Sequence, residues 1–248
     1  MSYNDFSSVY DSLMSDVDYT ARCEYLIDLF KKYGKMPTLM LDLACGTGGF
    51  SNAFAKKGVE VIGVDVSQDM LSKARENSYN EGTDVLYLCQ SAEELDLFGT
   101  VDGAICCMDS LNHITDFDAL LKAVKNVSLF LENECLFIFD LNTEYKHRHI
   151  LGNNTFVIEE DNIYCVWQNN FDEENLTTDI YLDFFKELPG GLYERSCEDF
   201  SERAYTENQM DSVLEEAGLE KIAVFDDMSM FPQKENSERI IYVTKKRV

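Results

Sequence analysis

The segment Asp42-Leu43-Ala44-Cys45-Gly46-Thr47-Gly48 combines the residue types that a ligand-binding turn needs. Glycines ahead of a helix let a ligand approach exposed backbone amides. Asp65 follows Gly46 after about 20 residues, the spacing at which a carboxylate one strand later accepts hydrogen bonds from both ribose hydroxyls. Two further residues decide what the ribose belongs to. Asp42, four residues before Gly46, puts an ionised carboxylate beside the turn, where it repels a diphosphate and attracts an ammonium or sulfonium group. Ser51 stands where a third glycine would favour close packing around a pyrophosphate.

Other candidates lie downstream. Asp109-Ser110-Leu111-Asn112-His113 follows an apolar strand, and loops beyond the carboxyl ends of parallel strands line the ligand crevice. His113 is the candidate general base with Asn112 beside it, while Met108 and Asp109 are assigned to positioning a cofactor or the loop. Lys146-His147-Arg148-His149 reads either as a positive spot that orients an anionic substrate group or as a solvated loop. Two histidines at that spacing with no third ligand make a poor metal site, so no metal is expected. Tyr164 and Trp167 either line a substrate pocket or pack in a core, and Asp172-Glu173-Glu174 reads as a solvated turn.

The elements that must hold these residues alternate regularly at first. A helix through Tyr25, Leu26, Leu29 and Phe30 stops at Gly34, and residues 38–43 form a short buried strand. A helix over 49–57, a strand over 59–64, a helix capped by Ser67 and a strand over 85–88 follow. Residues 101–108 are another strand, Thr115 caps the next helix, and residues 135–141 are a fifth strand. Such alternation specifies a parallel sheet wound by right-handed crossovers. From 155 to 203 the helical period disappears, and four runs separated by turn residues at Asp161-Asn162, 172–175 and 189–191 predict an inserted antiparallel meander. Thr206 and Gln209 form a capping box for a helix ending at Gly218. Two closing strands, 219–226 and 238–244, are expected to pair antiparallel.

These residues resemble the class I S-adenosylmethionine-dependent methyltransferases, with Leu41 to Gly48 similar to their first motif. The resemblance extends over most of the chain apart from the meander. It implies an α/β, Rossmann-like, seven-stranded mostly parallel sheet whose last strand is antiparallel. It also implies S-adenosyl-L-methionine as cofactor, with Asp42, Ala44, Cys45, Gly46 and Gly48 around it and Asp65 on its ribose. Val66 and Met70 are then expected to pack on the adenine, and Gln90, Ser91 and Ala92 to reach the adenine edge. Residues 9–19 resemble the lid of small Firmicutes methyltransferases of the methyltransferase-25 type, which implies that Tyr10 closes over the cofactor and reacting centre. Arg22 stands near a position where that subgroup commonly has Trp. The chain is thus expected to divide into a cofactor-binding core, 1–150 with 204–248, and an inserted substrate lid, 151–203.

Bulk composition narrows the acceptor. The net charge of -25 offers no counterion release on a phosphate backbone, which disfavours nucleic acid. An RNA or protein methyltransferase would show a basic groove or an Asn-Pro-Pro-aromatic motif, and neither is visible. The expectation is therefore a small-molecule methyl acceptor, with a non-catalytic S-adenosylmethionine or S-adenosylhomocysteine binder as the competing class. The 8 cysteines form no CxxC pair and fall mostly in apolar runs, which suits a reducing cytoplasm. Neither a secretory leader nor a run of about 18 apolar residues is present. A monomer or homodimer is expected.

Overall fold

The computed structural model describes residues 17–160 and 162–248; Tyr10 lies outside the described residues. The core is a seven-stranded sheet. Its strands are β1 (Leu39–Leu43), β2 (Glu60–Asp65), β3 (Val85–Cys89), β4 (Gly103–Cys106), β5 (Leu136–Asn142), β10 (Leu219–Asp226) and β11 (Arg239–Lys246), in the order β10-β11-β5-β4-β1-β2-β3. β1 to β5 run parallel, whereas β11 pairs antiparallel with both β5 and β10. The strand order reverses between β1 and β4, and the loops after their carboxyl ends open onto one crevice.

Helices cover both faces. On one, α4 (Phe117–Phe130) and α5 (Glu207–Glu216) bury Leu120, Val124, Met210 and Val213 against Phe137, Phe139 and Tyr242. On the other, α1 (Tyr19–Tyr33) and α2 (Gly49–Ala55) bury Leu26, Phe30, Phe50 and Phe54 against Met40, Ile105 and Ile138. α3 (Gln68–Glu81) starts at Ser67, whose hydroxyl accepts from the Met70 amide, and ends at Gly82 in a left-handed conformation. The capping box of Thr206 and Gln209 is present. The cap of α4 is Asp116 rather than Thr115: the Asp116 carboxylate accepts the Ala119 amide at 2.8 Å, and the Thr115 carbonyl instead accepts from Arg203.

A second sheet of four antiparallel strands follows β5, in the order β6 (Thr155–Glu160), β7 (Ile163–Asp172), β8 (Thr177–Leu188) and β9 (Leu192–Arg203). Ile163, Cys165, Ile180, Leu182 and Phe184 make its small core, with Trp167 packed against them. Trp167 and Tyr164 sit three residues apart in a strand and so face opposite sides. Trp167 is half-buried with its indole N–H on Asn169, whereas Tyr164 is exposed, so the two do not line one pocket.

The Lys146–His149 run is neither a solvated loop nor a free positive patch. Lys146–Leu151 form a π-helical turn in which His147 is fully buried on Thr178 and Arg148 is paired with Glu144 and Glu173. Asp172, Glu173 and Glu174 are exposed in their turn, as expected of a solvated one, and Glu173 reaches across to Arg148 in the π-helical turn. All eight cysteines are free, and no described helix is long and apolar enough to cross a membrane.

Candidate functional site

The first crossover turn takes its shape from three positive φ values, at Ala44, Gly46 and Gly48. For Ala44 this is a sparsely populated conformation of the kind held in place only by surrounding structure. Gly48 is required twice over, since φ is +82° and a Cβ there would run into the Tyr87 hydroxyl, whereas a Cβ on Gly46 would meet nothing. The turn is fastened to β2 by Asp65: one carboxylate oxygen accepts the Gly46 amide at 2.9 Å and the other the Ser67 amide at 2.8 Å. Burial raises the Asp65 pKa against the pull of those amides.

Asp42 lies at the floor of a recess it shares with Ala44, Gly46, Gly49, Met108 and Ser110. It is 2% exposed. The Ser51 hydroxyl donates to it at 2.6 Å, which gives Ser51 a role beyond filling a glycine position. No cationic side chain among the described residues lies within ion-pair distance of Asp42, and burial pushes its pKa up to about 7. A buried carboxylate without a counter-charge, opening on a glycine turn, suits a ligand that brings its own positive charge. These residues fit S-adenosylmethionine and fit a diphosphate badly.

The remaining cofactor candidates rim the same crevice with unequal freedom. Val66 is 69% exposed at the end of β2, and Met70 is buried in the first turn of α3. The Gln90 side chain is occupied, bonding the Asp96 backbone through both its nitrogen and its oxygen. Ser91 and Ala92 are half-buried, and the Ala92 carbonyl accepts from Asn126.

Beyond β4 the backbone is again unusual, with Met108 and Asp109 both at positive φ. The carboxylate of Asp140 on β5 accepts both of their amides, and Arg239 on β11 reaches Asp140 at 3.0 Å and Asp109 at 2.7 Å. Burial raises Asp109, but Arg239 and Lys146 outweigh it and hold the carboxylate at about 2. Asn112, expected beside the base, is instead a fastener. It is fully buried, its oxygen accepts the Asn142 amide, and its nitrogen donates to the carbonyls of Asn142 and Arg203. Every polar atom of its amide is thereby used in joining β5 to β9, which removes it from the catalytic candidates.

His113 closes the same short turn, and burial lowers its pKa. It is partly open to solvent, its ring packs on Phe200 with centroids 5.0 Å apart, and its Nε2 lies 3.8 Å from Glu202 on β9. Asp109, His113 and Glu202 together place three ligand-type atoms within 4.8 Å of one another. Sequence reasoning missed Glu202, Asp140, Asn142 and Arg239. Asp140 and Asn142 carried a signal, as polar residues in a strand that is otherwise apolar and wholly buried; Glu202 and Arg239 carried none.

Comparison with known proteins agrees with this geometry. A methyltransferase-domain family model matches residues 40–129. YqeM of Bacillus subtilis strain 168, which bears a methyltransferase name, is 30% identical over 99% of this chain and 98% of its own. A crystal structure of an S-adenosylmethionine-dependent methyltransferase from Clostridium acetobutylicum superposes with a TM-score of 0.90, at 34% identity and 99% coverage of both chains. A glycine/sarcosine N-methyltransferase of Parasynechococcus marenigrum is 26% identical, covering 98% of this chain and 83% of that one.

Proposed function

The chain belongs to the class I S-adenosylmethionine-dependent methyltransferases, and from that membership we propose that it methylates a small molecule held between the crossover loops and the second sheet. The cofactor supplies a methyl group carried on a positively charged sulfur. Asp42 attracts the cationic amino-acid end, Asp65 holds the ribose, and the amides of the glycine turn and the exposed flank of Val66 complete the cradle. Asp140 and Arg239 fix the loop from Met108 to His113, so that His113 stands ready to take a proton from the acceptor.

The observation that carries the small-molecule reading is the closeness of the second sheet to that loop. Asn112 donates to the Arg203 carbonyl at 2.8 Å and Asn142 to Glu202 at 3.2 Å, which fastens the second sheet to the loop that follows β4. A loop fastened beside a second sheet, on a chain of net charge -25, suits a compact acceptor better than a polyanion. Amines are the first acceptor class to test, because the acidic surface attracts cations and one relative is a glycine/sarcosine N-methyltransferase. Residues 151–203 serve in this reading as the substrate lid of a core made from 1–150 and 204–248, in a reducing cytoplasm.

Incubation of the purified protein with methyl-labelled cofactor against separated metabolite, RNA and protein fractions tests the proposal. Label in a small metabolite supports it, and label only in RNA or protein overturns it. Tight binding of S-adenosylhomocysteine with no labelled product in any fraction would identify a sensor.

A further inference from the structure

Glu202 is 4% exposed, and its two oxygens face two different imidazoles. Oε1 lies 3.8 Å from Nε2 of His113, and Oε2 lies 3.7 Å from Nε2 of His147. The His147 ring is fixed by its Nδ1 on the Thr178 hydroxyl, while its buried Nε2 has no hydrogen-bond partner among the described residues. Asn142 ties the cluster together, donating to Oε2 of Glu202 at 3.2 Å and to Asp109 at 2.7 Å. The other charged groups facing Glu202 are Asp109 from the end of β4, Lys146 from the turn after β5 and Arg239 from β11. Its neighbour Arg203 is directed to the Thr115 carbonyl.

Resting on the methyl-transfer reading above, we infer that Glu202 is the positioning residue that decides which ring nitrogen of His113 is free to take the acceptor's proton. An ionised Glu202 accepts the Nε2–H of His113 and leaves a lone pair on Nδ1. The acceptor's N–H or O–H bond then breaks, its electron pair stays on the acceptor as the nucleophile, and the proton bonds to Nδ1. The carboxylate stabilises the imidazolium that results. A protonated Glu202 reverses this: its O–H donates to Nε2, the ring hydrogen resides on Nδ1, and no base faces the acceptor. The 3.8 Å separation closes to a hydrogen bond with a movement of about 1 Å, a tightening common once ligands are seated. Burial and the charge of Asp109 push Glu202 up to about 8, so the change of state falls within an accessible range of pH.

The same atoms are poorly placed for a divalent cation. Arg239 already occupies one oxygen of Asp109 at 2.7 Å and Asn142 the other, and a guanidinium at that distance repels a second positive centre.

The test needs no acceptor. Long-range proton-nitrogen NMR of the histidine rings, with S-adenosylhomocysteine bound, is followed from about pH 6 to 10, across the range where an imidazole-carboxyl pair titrates. His113 signals are identified by their loss in His113→Asn. The expected result is a passage from the Nδ1–H to the Nε2–H tautomer with a midpoint near 8, abolished in Glu202→Gln and restored at a shifted midpoint in Glu202→Asp. A single tautomer throughout in the unmodified protein, or an unchanged transition in Glu202→Gln, overturns the inference. Should the Gln variant not fold, the unmodified protein and the Asp variant decide. Selective broadening of His113 by micromolar Mn²⁺ would mark a metal site and also overturn it. Calorimetry with S-adenosylhomocysteine separates the two levels: absence of binding defeats the proposed function, whereas binding without the tautomer change defeats only this inference.

Discussion

Arg239 and Asp109 meet at 2.7 Å, and both also bond Asp140, so one buried carboxylate couples the start of β11 to the loop after β4. Asp140→Ala removes the acceptor for the Met108 and Asp109 amides and leaves Arg239 with one partner. We expect a loss of about 3–5 kcal/mol, the range for breaking a buried ion pair. Urea denaturation with an unchanged slope checks it; a loss below about 1 kcal/mol would show that the loop is held by other contacts.

Asp42 costs the ligand-free protein stability. Its folded pKa of about 7 lies above the unfolded value of 3.8. The cost is therefore absent below about pH 4, grows as pH rises and is complete above about pH 7, where it reaches roughly 4 kcal/mol. Asp42→Asn is expected to flatten the stability profile between those limits and raise the melting temperature at pH 8, while weakening S-adenosylmethionine at least tenfold. A variant that is no more stable at pH 8 than at pH 4, relative to the parent, would contradict this.

Two glycines of one turn should respond differently. Gly46→Ala meets open space and bears only the strain of φ +54°, about 1 kcal/mol, whereas Gly48→Ala also drives into Tyr87 and should cost several. Parallel melts of the two variants decide, and equal costs would mean that Tyr87 moves aside freely.

Asn112→Ala deprives the Arg203 carbonyl and both backbone groups of Asn142 of partners. The expected cost is about 2–3 kcal/mol, with faster amide exchange concentrated in β8 and β9. Exchange unchanged there but faster in β1 and β2 would show that the second sheet is anchored elsewhere.

The sequence made the sheet legible because its signals are local. Short apolar runs closed by Gly34, Gly46 and Gly218 mark strand and helix ends, and Thr206 with Gln209 announces a helix start three residues apart. The turn was legible for the same reason, since Asp42, Gly46 and Gly48 stand together and Asp65 one strand later. Roles set by distant partners were not. Asn112 looked catalytic until Arg203 and Asn142 were seen to take its whole amide. His147 looked exposed among Lys146, Arg148 and His149, yet Thr178 buries it. Glu202 had no cue at all, because its meaning comes from a sheet inserted between β5 and α5.

Left-handed backbone at two successive residues would ordinarily demand glycine, which contributes no side chain to a binding cleft. By supplying both amides with an acceptor from the neighbouring strand, Asp140 lets Met108 and Asp109 adopt that conformation with their side chains intact. The shape of the loop is thus encoded one strand away from the loop itself, and it leaves the Met108 side chain to line the recess while Asp109 commits its carboxylate to Arg239 and Asn142.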